Sequence, residues 1–364
     1  MLSAAVLARR TIYKQGHPAQ SIAKEIEQSP EKRIPLSRFM QLSMYSTNGY
    51  YHTPSTDGHF FDHFLTNPTE HSPSFGQAVA EYTYNFWSAR GKPAAFDIVF
   101  MGEGTGVLSR DLLDGLQSTE LYMRINTTII EISPGLIAVQ KETLSDHHNK
   151  IRWLNQSAID IPLPSINGCF ISNELPDAFP VEAIIKTREG IIKEMWVTVR
   201  PDNACLPGSD EFREIWLPLQ NTEVAKTLSQ SQRNLPPSII IPVNLNATQW
   251  MHNVTTALKK GFHLIFDYGY SGSQYPEDKL IYTINRTIPG FVGTALWEAG
   301  DSDVTSWVDF DHLRYIGEAA GASTTLAGWE GEFFAPLSWK HPNKHQGISC
   351  DGKKGFLCLL QEKI

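Results

Sequence analysis

Residues 96–106 read FDIVFMGEGTG. Five of the first six are apolar, a run too short for a helix, and it stops on a glycine, as a buried strand does when it enters a tight turn. Gly102, Gly104 and Gly106 alternate with Glu103 and Thr105, and a helical pattern starts at Val107. Glycines let the backbone turn sharply and approach a ligand, and a helix N-terminus offers free N–H groups. A turn of this kind binds nucleotides or S-adenosylmethionine. No Gly-Lys-Ser/Thr follows, which excludes a phosphate-binding Walker loop. A dinucleotide fingerprint would need its third glycine where Val107 stands, which disfavours nicotinamide and flavin cofactors.

Outward from this turn the pattern alternates. A helix spans about 107–116, a strand TTIIEI follows at 127–132, a helix runs over about 134–144, and the strands IRWLN (151–155) and CFISNEL (169–175) come next. Alternating strands and helices imply right-handed crossovers and a parallel sheet. Residues 183–199 read as a hairpin, and the polar, proline-rich stretch 200–237 as an insertion. Alternation resumes with IIIPVN (239–244), a helix over 247–260, and HLIFDYG (263–269). The stretch 303–321 is expected to be helical, and GFLCLLQEK (355–363) an antiparallel edge strand. Upstream, helical spacing covers 20–28, 34–46 and 75–90, and a long loop rich in glycine, proline, aromatics and histidine lies between the last two. The expected domains are an N-terminal helical segment with a covering loop (1–90) and an α/β domain (91–364). The sheet draws on 91–199 and 236–290, with an inserted lobe near 200–236 and a lid near 290–345.

The chain has 364 residues, enough for a large core, and a formal net charge of −8 with no basic face or tail, which argues against a nucleic-acid binder. Hydrophobic content is 41%, charged content 19% and mean hydropathy −0.25, as in ordinary globular proteins. No run of 18 or more apolar residues marks a membrane span. Cys169, Cys205, Cys350 and Cys358 are few and lack paired-ligand spacing, so a reducing compartment is expected and a disulfide framework is not. His341 and His345 lie near Cys350, but the segment reads as a polar loop and no metal is expected there. The basic, acid-free start is not a secretory signal. A cytoplasmic location is expected, with the mitochondrial matrix as the alternative. Oligomeric state stays open, a homodimer included.

Acids gather where strands end. Glu131 closes the second strand 29 residues after Gly102, where a carboxylate can accept hydrogen bonds from both ribose hydroxyls of a nucleoside. Asn173, Glu174 and Asp177 follow another strand, and Asp267 ends a third. Open parallel sheets bind ligands at this edge. Carboxylates there can hold a cation or remove a proton, or simply cap the following helices.

Taken together these stretches resemble the MidA-type family of S-adenosylmethionine-dependent methyltransferases, which includes a mitochondrial complex I assembly enzyme that methylates a protein arginine. FMQLSMYSTNGYY and HFLTNPTEHSPSFG match the family's N-terminal pattern, GEGTGVL its glycine loop and EISPGLIAVQ its ExSPxLxxxQ. NELPDAFPV, FDYG and DVTSWVDFDHL match three more, in order, over most of the chain. The resemblance implies a Rossmann-like class I methyltransferase core with one antiparallel C-terminal strand and an added, mainly helical lobe. It implies S-adenosylmethionine as cofactor. Gly102, Glu103, Gly104, Thr105 and Gly106 would surround its methionine end, Glu131 and Ile132 its ribose, and Asn155, Ser157 and Ala158 its adenine. Thr66 would close over it, beside Asn173. Asp177 and Tyr268 would line the acceptor site, with Glu174 or Asp267 taking the proton. Four positions depart from the expected pattern: Phe100 stands where methyltransferases usually carry an acid, Thr105 replaces the family's basic residue, and Leu175 and Pro176 replace a pair of phenylalanines. A protein arginine, another nitrogen or oxygen acceptor, and a small metabolite all stay open as targets, as does a binding module that keeps the fold without transfer.

Overall fold

The structure is a computed structural model that describes residues 16–52, 66–161, 165–200, 212–231, 233–276, 280–285, 292–293, 296, 298–338 and 353–364. Strand β1 (Phe96–Met101) runs parallel to β2 (Ile125–Glu131), and β2 to β3 (Ile151–Asn155). On the other side of β1 lie β4 (Ile166–Asn173) and then β5 (Leu258–Ser271), again parallel. Strand β6 (Ser323–Trp329) forms the far edge, and β7 (Lys353–Lys363) fits between β5 and β6, antiparallel to both. The order is therefore β3-β2-β1-β4-β5-β7-β6. One strand opposes the rest, as the α/β reading expected.

The inner strands of this sheet are buried on both faces, which is why they read as nearly continuous apolar runs rather than alternating ones. Phe96, Ile98, Phe100, Cys169, Ile171, Phe262, Leu264 and Phe266 pack on one face against α1 (Ser74–Ala89) and α2 (Val107–Leu116). On the other, the Trp250 indole N–H of α4 (Leu245–Ala257) donates to the Met101 sulfur at 3.4 Å. Phe100 is wholly buried in the first of these layers. Helix α3 (Pro134–Thr143) follows β2, with Ser133 capping it through a bond to the Leu136 N–H.

The chain divides into two compact units, and the boundaries differ from the expected ones. The first unit comprises Leu65–Asp177, Asn246–Pro276 and Val308–Ile364, and contains the sheet just described. Helix α1 belongs here, not to an N-terminal segment, because its apolar face completes the sheet's core. The second unit comprises Met1–Phe64, Ala178–Leu245 and Glu277–Trp307. It is not mainly helical. Strands Ile34–Pro35, Ile192–Val199, Glu182–Lys186 and Ile240–Val243 form an antiparallel sheet in that order, and Phe212–Pro218 pairs with Ile192–Val199. Helices Pro18–Gln28 and Leu36–Tyr45 contribute Ile22, Ile26, Phe39 and Met40 to a core with Val181, Val197, Phe212 and Val304. A smaller sheet sets Ile281–Asn285 between Val292–Gly293 and Ser302–Ser306.

Four local expectations change. The hairpin forms but joins the second unit, and so does Ile240–Val243, expected in the parallel sheet. Pro242 has no N–H to donate and sits on an edge strand, where that loss costs least. Residues 303–306 are strand, and the helix α5 (Phe310–Ala319) starts only after Asp309, whose side chain accepts from the His312 N–H. The last strand is interior, with β6 as the edge.

Among the described residues no helix is long and apolar enough to cross a membrane, and no group of three or more His, Cys, Asp or Glu could hold a metal ion. Cys169 and Cys358 are buried free thiols. Residues 1–15, residues 53–65 of the expected covering loop, and the segment with His341, His345 and Cys350 lie outside the described residues, as does Cys205.

Candidate active site

The turn after β1 adopts a conformation that needs its glycines. Gly102, Gly104 and Gly106 have φ of +63°, +54° and +83°, in the left-handed region that side chains other than glycine's rarely tolerate. A Cβ on Gly102 would come within 2.7 Å of Leu175 Cδ1, so Leu175, which stands where the family has phenylalanine, occupies that space. Gly106 opens α2. Glu103, expected near the methionine end of the cofactor, turns toward its own helix: Oε2 accepts from the Ser109 N–H at 3.1 Å. Burial pushes its carboxyl up to about 8, with Glu131 adding to the rise and the Ser109 bonds opposing it. Thr105 is half-buried within the turn.

Glu131 stands at the tip of β2, 5% exposed. Its Oε1 accepts from the Ser133 N–H at 2.8 Å and its Oε2 from the Gln140 amide at 3.3 Å. Burial still raises its carboxyl to about 7, these bonds holding it lower than burial alone would. Asn155 closes the strand tips together, since its amide donates to the carbonyls of Glu131 and Ile132 at 3.0 and 2.9 Å. The Ser157 hydroxyl accepts from the Ile159 N–H, and Ala158 is buried beside it.

A second group forms at the end of β4 and level with it in β5, which runs on four residues past Asp267 where the strand was expected to stop. Asn173 donates its amide to Glu174 Oε1 at 2.9 Å, and Asp267 Oδ2 accepts from the Asp177 N–H at 3.1 Å. Asp267 Oδ1 accepts from the Tyr268 N–H at 2.6 Å, and the Tyr268 ring meets Phe356 edge-on at 4.5 Å. Glu174 has a left-handed φ of +49°, a strained state for a side chain with a Cβ. Burial raises its carboxyl to about 8, with Asp177 next and Glu330 also contributing, while Asn173 and Asn67 oppose. Asp267, fully buried, is pushed well above the carboxylate range by burial and then by Asp177 and Glu174.

Thr66 precedes the turn Asn67–Glu70, and its hydroxyl meets that of Thr69 at 3.0 Å. Two residues that sequence reasoning passed over join this group. The Asn67 N–H points to Glu174 Oε1 at 3.4 Å, and its side-chain amide donates to Glu330 Oε2 at 2.9 Å. Glu330 is 2% exposed at the start of the short helix Glu330–Phe334. Asn67 lies within the matched stretch HFLTNPTEHSPSFG but carries no assigned role there, and nothing near Glu330 marked it. Gln140, the last residue of the matched EISPGLIAVQ stretch, is given no role by the sequence reading and belongs to the Glu131 group.

The two groups lie at the ends of neighbouring parallel strands, the edge at which such sheets take ligands. Residues 78–327 match the model of a family described as "Putative S-adenosyl-L-methionine-dependent methyltransferase". The chain belongs to this family. The cofactor of the family is S-adenosylmethionine, and a turn held in the left-handed conformation that its glycines allow, beside a buried acid at the next strand tip, fits it. A protein arginine methyltransferase of Xenopus laevis mitochondria, NDUFAF7, is 27% identical over 315 residues, covering 79% of this chain and 67% of its own. The mouse protein of that name is 25% identical over 284 residues, covering 71% and 61%. The chain thus spans about three-fifths to two-thirds of the length of these relatives. A Burkholderia thailandensis protein described as a "likely methyl transferase" and crystallised bound to S-adenosyl-homocysteine superposes with a TM-score of 0.74 at 21% identity, covering 100% of this chain and 95% of its own. That likeness is one of fold.

Proposed function

We propose that this chain transfers the methyl group of S-adenosylmethionine to a guanidinium nitrogen of a protein arginine. The observation that carries the reading is the set of acids Glu174, Asp177, Asp267 and Glu330 in contact with one another's fields, with Glu174 and Asp267 pushed toward their neutral forms. Such a set is poorly suited to an anion. An incoming guanidinium reverses the electrostatics, since a positive charge beside a carboxylate favours its ionised form and paired N–H donors orient against its oxygens.

The cofactor supplies an already activated sulfonium methyl. The protein's share is alignment, worth about 7 to 11 kcal/mol, and a proton acceptor, worth about 10² to 10⁴ in rate. Gly102, Gly104 and Gly106 would receive the methionine end, Glu131 and Ile132 the ribose, and Ser157 and Ala158 the adenine, with Thr66 and Asn173 nearby. Asn155 would act indirectly, through the backbone it fixes. Asp177 and Tyr268 would flank the acceptor, and Glu174 or Asp267 would take the guanidinium proton as the carbon–nitrogen bond forms and the carbon–sulfur bond breaks. The mitochondrial names of the relatives favour that compartment for this chain and lend no support to the cytoplasmic expectation.

Isothermal titration with S-adenosylmethionine tests the cofactor site: the wild type binds, and Gly104→Val and Glu131→Ala lose at least tenfold in affinity. Incubation with deuteromethyl-labelled cofactor and a mitochondrial extract tests the acceptor. Labelled methylarginine in a protein is expected. Label confined to small molecules, or to lysine, would overturn the arginine assignment.

A further inference from the structure

Gln140 lies on the first helix after β2, wholly buried, and none of the roles above uses it. Its amide nitrogen has two acceptors from separate parts of the cofactor site: the Gly104 carbonyl at 3.0 Å and Glu131 Oε2 at 3.3 Å. Its stem packs on the same turn, since a Cβ on Gly106 would come within 3.3 Å of Gln140 Cγ. The amide oxygen is buried and has no hydrogen-bond partner among the described residues. An unmade buried bond carries a desolvation penalty that an apolar side chain of similar length would avoid. A glutamine retained for packing alone would be a poor choice here.

We propose that Gln140 is a positioning residue for cofactor binding, one amide group that fixes the middle of the glycine turn to the carboxylate meant for the ribose. It does not touch the cofactor. Both parts of the site are then set in register before the ligand arrives, so binding spends less free energy on ordering them. The inference rests on the reading of Glu131 and the glycine turn as the cofactor site.

The test compares wild type, Gln140→Met, Glu131→Ala and the double variant, each titrated with S-adenosylhomocysteine and unfolded in urea. Gln140→Met removes the orphaned oxygen with little change in length, so stability holds or rises. Affinity for S-adenosylhomocysteine falls about ten- to a hundredfold, the worth of hydrogen bonds to a charged group. In the double variant the losses combine to less than their product, because part of the Gln140 effect passes through Glu131. Wild-type affinity in Gln140→Met, fully multiplicative losses, or a loss of affinity that tracks a loss of stability overturns the proposal. Should Gln140→Met fail to fold, Gln140→Asn, which withdraws the amide by one methylene, takes its place with the same expected drop in affinity. Failure of the wild type to bind removes the cofactor reading itself and the inference with it, whereas wild-type binding lost in Glu131→Ala but not in Gln140→Met removes the inference alone.

Discussion

At Glu174 the backbone and the side chain pull in opposite directions. The φ of +49° is strained for any residue with a Cβ, at a cost of about 1 to 2 kcal/mol, yet it aims the carboxyl at Asn173 and Asn67. Glu174→Gly should therefore gain stability in urea unfolding while losing methyl transfer by about 10² to 10⁴ if this carboxylate takes the proton. Glu174→Gln, which keeps the strain, should lose the same activity, and below about pH 4.5, where the carboxyl is protonated in both states, it should lack the gain that relief of strain gives Glu174→Gly. The raised carboxyls also set a pH dependence. Glu103 and Glu174 titrate at about 8 and Glu131 at about 7 in the fold, against 4.5 ordinarily. Between about 4.5 and 8 the folded chain holds protons that the unfolded chain has released, so stability falls as pH rises through this window. Thermal midpoints should drop from pH 6 to pH 8.5, and less steeply in Glu174→Gln. If Glu131 accepts from both ribose hydroxyls as proposed, its ionised form binds them better than its neutral form, so cofactor affinity should rise through pH 7. Titration in buffers of different ionisation heat should then show a proton released on binding.

Elements are held in place by contacts that no single periodicity announces. Gly76 of α1 sits against α2, where an added Cβ would come within 2.4 Å of Asp111 Cβ. Gly76→Ala should cost about 1 to 3 kcal/mol in urea unfolding, as overpacking does. The same crossing explains why α1 belongs with the parallel sheet although a long loop precedes it in sequence. Strand boundaries near the glycine turn follow from local chemistry: β1 stops where left-handed glycines begin, and β2 where Ser133 caps α3. By contrast Ile240–Val243 and β7 are ordinary apolar runs whose partners are distant in sequence. Their residues announce a strand and not the sheet it joins.

Across the whole molecule two separate cores, one in each unit, make stability a local property. Phe39 is fully buried in the core of the second unit, edge-on to Phe212 at 5.3 Å. Phe39→Ala removes about 3 to 5 kcal/mol from that core. Hydrogen exchange should then speed up first in Ile192–Val199 and Glu182–Lys186, while β1, β4 and β5 keep their protection. Uniform loss across both sets would show instead that the two cores unfold as one.

By itself the sequence determined the parallel sheet, the glycine turn, the acid after the second strand and the family, because each of these is written in short, contiguous patterns whose physics is local. It also placed Glu174 and Asp177 just after a strand end, whereas Asp267, expected to end a strand, lies within β5. Only the tertiary structure decided which sheet each later strand entered and that the inserted unit is built on antiparallel strands. It alone brought Asn67 and Glu330 to Glu174, and Gln140 to both Gly104 and Glu131. Asn67 and Glu330 lie 263 residues apart. Hydrogen bonds across such separations depend on how whole elements pack, and leave no periodicity in the chain to read.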